Sequence, residues 1–211
     1  MIRGLMGSID YFSPDERMPG VSVHTPDLIG YGSRADSDAR SITFDNQAAS
    51  VIRYMEEQVG EPSWLLGHSV GGAIAMLVAA TAPNLVRGLI SVEGNFTLND
   101  AFWCRKIAAL TDEAWSAEHQ RMLDDPAAWL QNRGVTLSPQ RIAWASDILH
   151  NQPRSTIAAT ARAVVKETGA PTFLQHVHTV IANGTPIHLL AGERKGQRPD
   201  GMSRSGSSLR P

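Results

Sequence analysis

Apolar and polar positions along this chain fall into two periodicities, and they place the elements. From Gly20, "GVSVHTPDLIGYG" carries β-branched residues and then proline, aspartate and glycine, which predicts a strand entering a tight loop. In "TFDNQAASVIRYMEEQVG", Ala48, Ile52, Met55 and Val59 recur at spacings of three and four, the mark of a helix with one buried stripe. Thr43 suits its N-cap, Asp45 its first turn and Gly60 its C′ position. "SWLLG" predicts a second strand and "AIAMLVAATA" the helix after it. "LVRGLISVEG" predicts a third strand ending at Glu93, and "TPIHLLAG", from Thr185, a fourth. Strands separated by helices imply an α/β fold, with a mostly parallel sheet covered by helices on both faces.

Between the third and fourth strands the pattern is helical, over roughly residues 100 to 184. Asp125 before Pro126 and Ser138 before Pro139 read as a cap followed by proline at a helix start, and Gly134 and Gly169 suit helix ends. Trp115, Trp129 and Trp144 fall in these helices and are expected to pack the insertion onto the core; the sharper reading has one of them lining an apolar pocket. The organisation expected is a discontinuous core of residues 1–99 and 170–194, a helical insertion of residues 100–169, and a tail of residues 195–211. The tail is rich in serine and glycine with almost nothing apolar, so it is expected to be disordered.

Composition narrows the function. The 211 residues are 42% hydrophobic and carry a net charge of −2, which fits a globular core and gives no reason to expect nucleic acid as a partner. The single cysteine, Cys104, excludes an internal disulfide framework. The N-terminus lacks the pattern of a signal peptide, and the longest small-and-apolar run, Ala73 to Ala82, is too short for a bilayer. A cytoplasmic protein with no membrane partner is expected. No G-x-G-x-x-G opens the first helix, which argues against a dinucleotide binder, and neither metal nor cofactor is implied.

The segment with the most chemistry is Gly67-His68-Ser69-Val70-Gly71, a G-x-S-x-G pentapeptide with a predicted strand before it and a helix after it. A serine on such a bend needs very small neighbours. Its hydroxyl is then lifted above the sheet edge, beside the Val70 N–H at the positive end of a helix.

The chain resembles the α/β-hydrolase fold family. "PDLIGYGSRAD" is similar to the loop after that family's fourth strand, and "SWLLGHSVGGAIAMLVAATAPNLVRGLISVEG" to its nucleophile elbow, following helix and sixth strand. "TPIHLLAGE" is similar to its seventh strand, and the helical insertion to its cap. The match covers most of residues 1 to about 194. "Arg3-Gly4-Leu5-Met6-Gly7-Ser8" resembles the family's His-Gly-x oxyanion loop, with Arg3 in place of histidine. The resemblance implies Ser69 as nucleophile, the N–H groups of Leu5 and Val70 as oxyanion donors, and Glu93, in preference to Glu193, as the orienting carboxylate. It implies hydrolysis of an ester, thioester or amide of a small, partly apolar substrate, with no cofactor.

The resemblance also exposes a gap. The family takes its general base from a loop beyond the seventh strand, where this chain has no histidine. The seven histidines all lie upstream, and His68, next to the serine, is expected to diverge from it. Counterparts of the family's first strands and of its eighth are not found either. The chain therefore reads as a shortened hydrolase with open sheet edges through which it could self-associate. The alternative function is a catalytically inactive protein that keeps the pocket and only binds a ligand or partner.

Overall fold

The computed structural model describes residues 1–192; Glu193 and the tail of residues 195–211 lie outside the described residues. A turn at Ile9–Phe12 leads into α1 (Pro14–Arg17), and a long loop then reaches α2 (Phe44–Tyr54). Thr43 caps α2 by accepting the Asn46 N–H at 3.2 Å. Phe44, Gln47, Ala48 and Val51 form the buried stripe, and the helix closes in a π turn, Met55–Val59, before Gly60 at a φ of 72°.

The buried stripe contains a polar residue that hydrophobic periodicity passes over. Gln47 accepts the Ile29 N–H at 2.8 Å and donates to the Ile29 carbonyl at 2.9 Å, pinning the loop that precedes Tyr31. Replacing it by leucine keeps the volume but strands both backbone groups. At about 1–3 kcal/mol for an unsatisfied buried group, Gln47→Leu is expected to lower unfolding stability by about 2–3 kcal/mol, read from urea denaturation.

The sheet is parallel, in the order β1 (Ser63–His68), β2 (Val86–Val92), β3 (Ile187–Leu190). Leu65 pairs with Leu89 and Gly67 with Ser91 across β1 and β2, and Leu89 pairs with Ile187 across β2 and β3. Three strands are present among the described residues, not four. The segment from Gly20 forms no ladder, because strand propensity makes a strand only where a neighbour supplies the hydrogen bonds. The place beside β1 is taken at one point by Ile2, which bridges to Gly67, donates to the Leu66 carbonyl at 2.7 Å and accepts the His68 N–H at 3.1 Å.

Helix α3 (Val70–Thr81) is buried on every side from Val70 to Ala79, between the sheet, α2 and α9. Hence its sequence shows no polar stripe. The helices between β2 and β3 are α4 (Phe102–Ala108), α5 (Asp112–Asp124), α6 (Pro126–Gln131), α7 (Pro139–His150), α8 (Arg154–Thr168) and α9 (Pro171–Ala182). Asp125 and Ser138 cap α6 and α7 through the N–H groups of Ala128 and Arg141. Gly134 is left-handed, with a φ of 71°, whereas Gly169 ends α8 in ordinary helical geometry.

Among the described residues the two faces of the sheet are covered unequally. The Leu65–Leu89 face packs on α3. On the opposite face Trp64 and Leu190 remain exposed, and the Ile9–Arg17 segment, which includes α1, approaches it. There, with Leu66, His68 and Val92, that segment lines an apolar cavity of about 250 Å³.

Candidate active site

At the C-terminal end of β1 the chain turns through Ser69 with φ 54° and ψ −118°, a conformation that a side chain rarely tolerates and that concentrates at functional sites. Backbone bonds hold it. The Ser69 N–H donates to the Val92 carbonyl at 2.8 Å, and the Ser69 carbonyl accepts from Gly72 at 2.9 Å and Asn95 at 3.2 Å. The flanking glycines are steric requirements: a Cβ on Gly67 would lie 2.3 Å from the Gly71 carbonyl oxygen, and one on Gly71 would lie 2.3 Å from the Ile2 carbonyl oxygen.

Ser69 opens into a broad cleft of about 2410 Å³. Its lower wall comes from the Arg3–Ile9 loop, the elbow and the Glu93–Phe96 segment, and its upper wall from the helices after β2, with Trp103, Trp115, Trp129 and Trp144 among its lining. Trp115 and Trp129 are buried while Trp144 is 39% exposed. All three tryptophans singled out in the sequence therefore face the cleft, and only the first two also act as packing residues.

Of the four residues expected to act together, Ser69, Glu93 and Leu5 border this cleft, whereas Val70 is buried and opens α3 beside Ser69. Val70, as the first residue of α3, has no acceptor within the helix for its N–H, and the Leu5 N–H meets no acceptor among the described residues. The loop that carries Leu5 is tied from three sides. Tyr31 donates to the Leu5 carbonyl at 3.0 Å, Gly7 donates to Gln152 Oε1 at 3.0 Å, and Asn151 donates to the Gly7 carbonyl at 2.8 Å. Burial pushes the Tyr31 phenol up to about 12, so it stays a neutral donor.

Glu93, like Ser69, has a positive φ, of 50°. Its carboxylate accepts the Gly192 N–H at 3.2 Å, satisfying the backbone past β3, and its charge raises the proton affinity of His68. His68 is the imidazole that lines the cleft. Burial lowers its pKa, and Glu93 opposes that shift. The other histidines are engaged or remote. His24 meets Tyr54 and Ser22, His119 stacks on Trp115, His150 meets the Ser146 carbonyl, and His188 lies beside Trp64.

Asn95 is the residue that sequence reasoning missed. The Ser69 hydroxyl donates to Asn95 Oδ1 at 3.1 Å, and Asn95 Nδ2 donates to the Asp100 carbonyl at 2.9 Å. The carbonyl can only accept, so the amide nitrogen must face it and the amide oxygen must face the serine. The available signal was an asparagine three residues past the end of β2, whose neighbour β1 ends at the Ser69 bend. Cys104 is buried and its thiol is pushed up to about 12 by burial, which removes it as a nucleophile. Among the described residues no cluster of histidine, cysteine, aspartate and glutamate is arranged to hold a metal ion, and no helix is long and apolar enough to cross a membrane.

The sequence matches the family model described as "Alpha/beta hydrolase family" over residues 6–203. A pimeloyl-[acyl-carrier protein] methyl ester esterase of Yersinia pseudotuberculosis is 32% identical over 99 residues, covering 46% of this chain and 36% of that protein. Lipase LipV of Mycobacterium tuberculosis is 32% identical over 76 residues, covering 36% of this chain and 28% of that protein. The chain thus spans about a third of the length of the curated relatives it matches. In fold it is similar to a carboxylesterase from the thaumarchaeon Nitrososphaera gargenis, with a TM-score of 0.69 at 19% identity, over 90% of this chain and 70% of that one. It is similar also to a putative epoxide hydrolase of Klebsiella pneumoniae, with a TM-score of 0.62 at 21% identity, over 90% and 71% of the two chains.

Proposed function

Because this chain belongs to the alpha/beta hydrolase family, we propose that it is a serine hydrolase of small, partly apolar esters, thioesters or amides. The observation that carries this reading is the Ser69 bend, which opens into a cleft that Leu5 also lines, with Val70 following as the first residue of α3. Ser69 Oγ adds to the substrate carbonyl carbon, the carbonyl π bond becomes an oxyanion, and the two N–H groups hold that charge. Such a donor contributes about 2.7–4 kcal/mol where it has been removed elsewhere.

Before attack the hydroxyl leaves Asn95, because an amide oxygen accepts a hydrogen bond but does not take the proton. His68, kept neutral by burial, receives it through one water, and Glu93 steadies the imidazolium that results. The helices of residues 100–169 act as the cap over the cleft. The curated relatives that act on a methyl ester or are lipases support an ester as substrate.

A fluorophosphonate probe tests the reading. The protein is expected to label at Ser69 and to hydrolyse p-nitrophenyl butyrate. Because the pKa of His68 is lowered, the labelling rate is expected to stay level down to about pH 6.5, the usual imidazole value, and to fall below it. A second reading, ligand binding without turnover, is favoured by the commitment of the Ser69 hydroxyl to Asn95. Folded protein that never labels would establish that reading instead.

A further inference from the structure

We infer that Arg3 anchors a carboxylate of the substrate, separate from the acyl group that Ser69 attacks. As a substrate anchor Arg3 depends on the hydrolase reading; as a carboxylate site it does not.

Arg3 lines the cleft yet is only 5% exposed. Among the described residues its Nε and Nη2 are sealed from solvent and have no hydrogen-bond partner, and Nη1, which is not among the sealed atoms, also has none. The guanidinium stays charged at all working pH values. A buried charge with no counter-ion is destabilising, and little among the described residues offsets it. Its carbon sits 4.6 Å from the Tyr31 ring centroid, a cation–π contact that leaves every N–H donor unmet. Asp27 and Asp10 act on it at a distance, but neither pairs with it. Asp27 is engaged by the N–H and hydroxyl of Ser33, and Asp10 by the hydroxyl of Ser8.

The other cleft cations are in a different condition. Arg133 stacks on Trp103 and Trp129 and donates to the Trp129 carbonyl, Arg121 pairs with Glu118 at 2.7 Å, and Lys106 is exposed to water. Arg3 is thus the sheltered positive charge of the cleft whose donors are unmet, two residues from the Leu5 N–H. An anion arriving through the cleft would pair with it through Nη1, the donor that is not sealed. One positive charge matches one negative charge, and the carboxylates of Glu93, Asp100 and Asp125 on the same walls disfavour a dianionic phosphate. The tryptophans of the upper wall suit an apolar chain between the two ends of the substrate.

The test uses Ser69→Ala protein, so that ligands are bound and not consumed. Calorimetric titration compares monomethyl glutarate, which carries a free carboxylate, with dimethyl glutarate, which does not. The monoester is expected to bind at least tenfold more tightly, and added salt to erode the difference. Adding Arg3→Met is expected to bring the two ligands within twofold, with Arg3→Gln as a second removal should the methionine variant not fold, while Arg3→Lys retains part of the preference. A folded Arg3→Met is expected to melt no lower than its parent, since it loses an unpaired buried charge. Equal binding of the two esters, or a preference that survives removal of Arg3, would overturn the inference. So would displacement of the monoester by equimolar inorganic phosphate, which would make the site one for any small anion. Wild-type protein that fails to label with fluorophosphonate while its Ser69→Ala form keeps the monoester preference would lose the hydrolase reading and keep the carboxylate site.

Discussion

Ser69→Ala is expected to reduce ester turnover by about 10³-fold or more and to abolish covalent labelling, since loss of the proposed nucleophile would leave only what the proposed oxyanion donors and substrate binding provide. Turnover of p-nitrophenyl butyrate and intact-mass analysis after fluorophosphonate treatment read the two effects. The fold should survive. Alanine at a φ of 54° is no more strained than serine, and the Ser69 N–H remains on the Val92 carbonyl at 2.8 Å. The Asn95 amide oxygen loses its donor, a cost of about 1 kcal/mol for a group that can rehydrate from the cleft. A variant that labels or turns over as fast as the parent would remove Ser69 from the chemistry.

Gly71→Ala is expected to have the largest effect on stability, about 3–5 kcal/mol, most of what a marginal domain possesses. The added carbon would stand 2.3 Å from the Ile2 carbonyl oxygen and 2.5 Å from that of Arg3. Neither is the end of a flexible side chain, so the strand-like segment at Ile2 must move as a unit. It would give up its bonds with Leu66 and His68, each worth about 1 kcal/mol, and carry the Arg3–Ile9 loop with it. Gly60→Ala is the control: nothing lies within 4 Å of its Cβ position, so only the positive φ counts and the loss should be about 1 kcal/mol. Urea midpoints of the two variants should differ clearly; equal midpoints would remove the close approach as the reason for Gly71.

The elbow and the parallel order around it were legible because the local signals agreed. Gly67 and Gly71 flank a serine between an apolar strand and an apolar helix, and the close approaches at both glycines are what such a pattern demands. The caps at Thr43, Asp125 and Ser138 were legible for the same reason, each being a short-range hydrogen bond encoded within three residues. What depended on partners distant in sequence was not legible. The run from Gly20 has strand composition but finds no ladder. Asn95 reaches Ser69 across 26 positions, and Gln47 reaches Ile29 across 18, so neither bond leaves a periodicity. Arg3 was read as a departure from a family pattern, and its condition, charged, enclosed and unmet, depends on Tyr31, Asp27 and a wall contributed by later helices.

Three main-chain bonds fasten residue 69 in its unusual twist, and none of them needs a bound reactant to form. Nothing there has to freeze when a reactant arrives, so the free energy of encounter is not diverted into ordering a loop. Differences in affinity among reactants should then follow the groups they carry toward the walls, and differences in rate should follow how closely each one's distorted, negatively charged form fits a cradle that was rigid from the moment the chain folded.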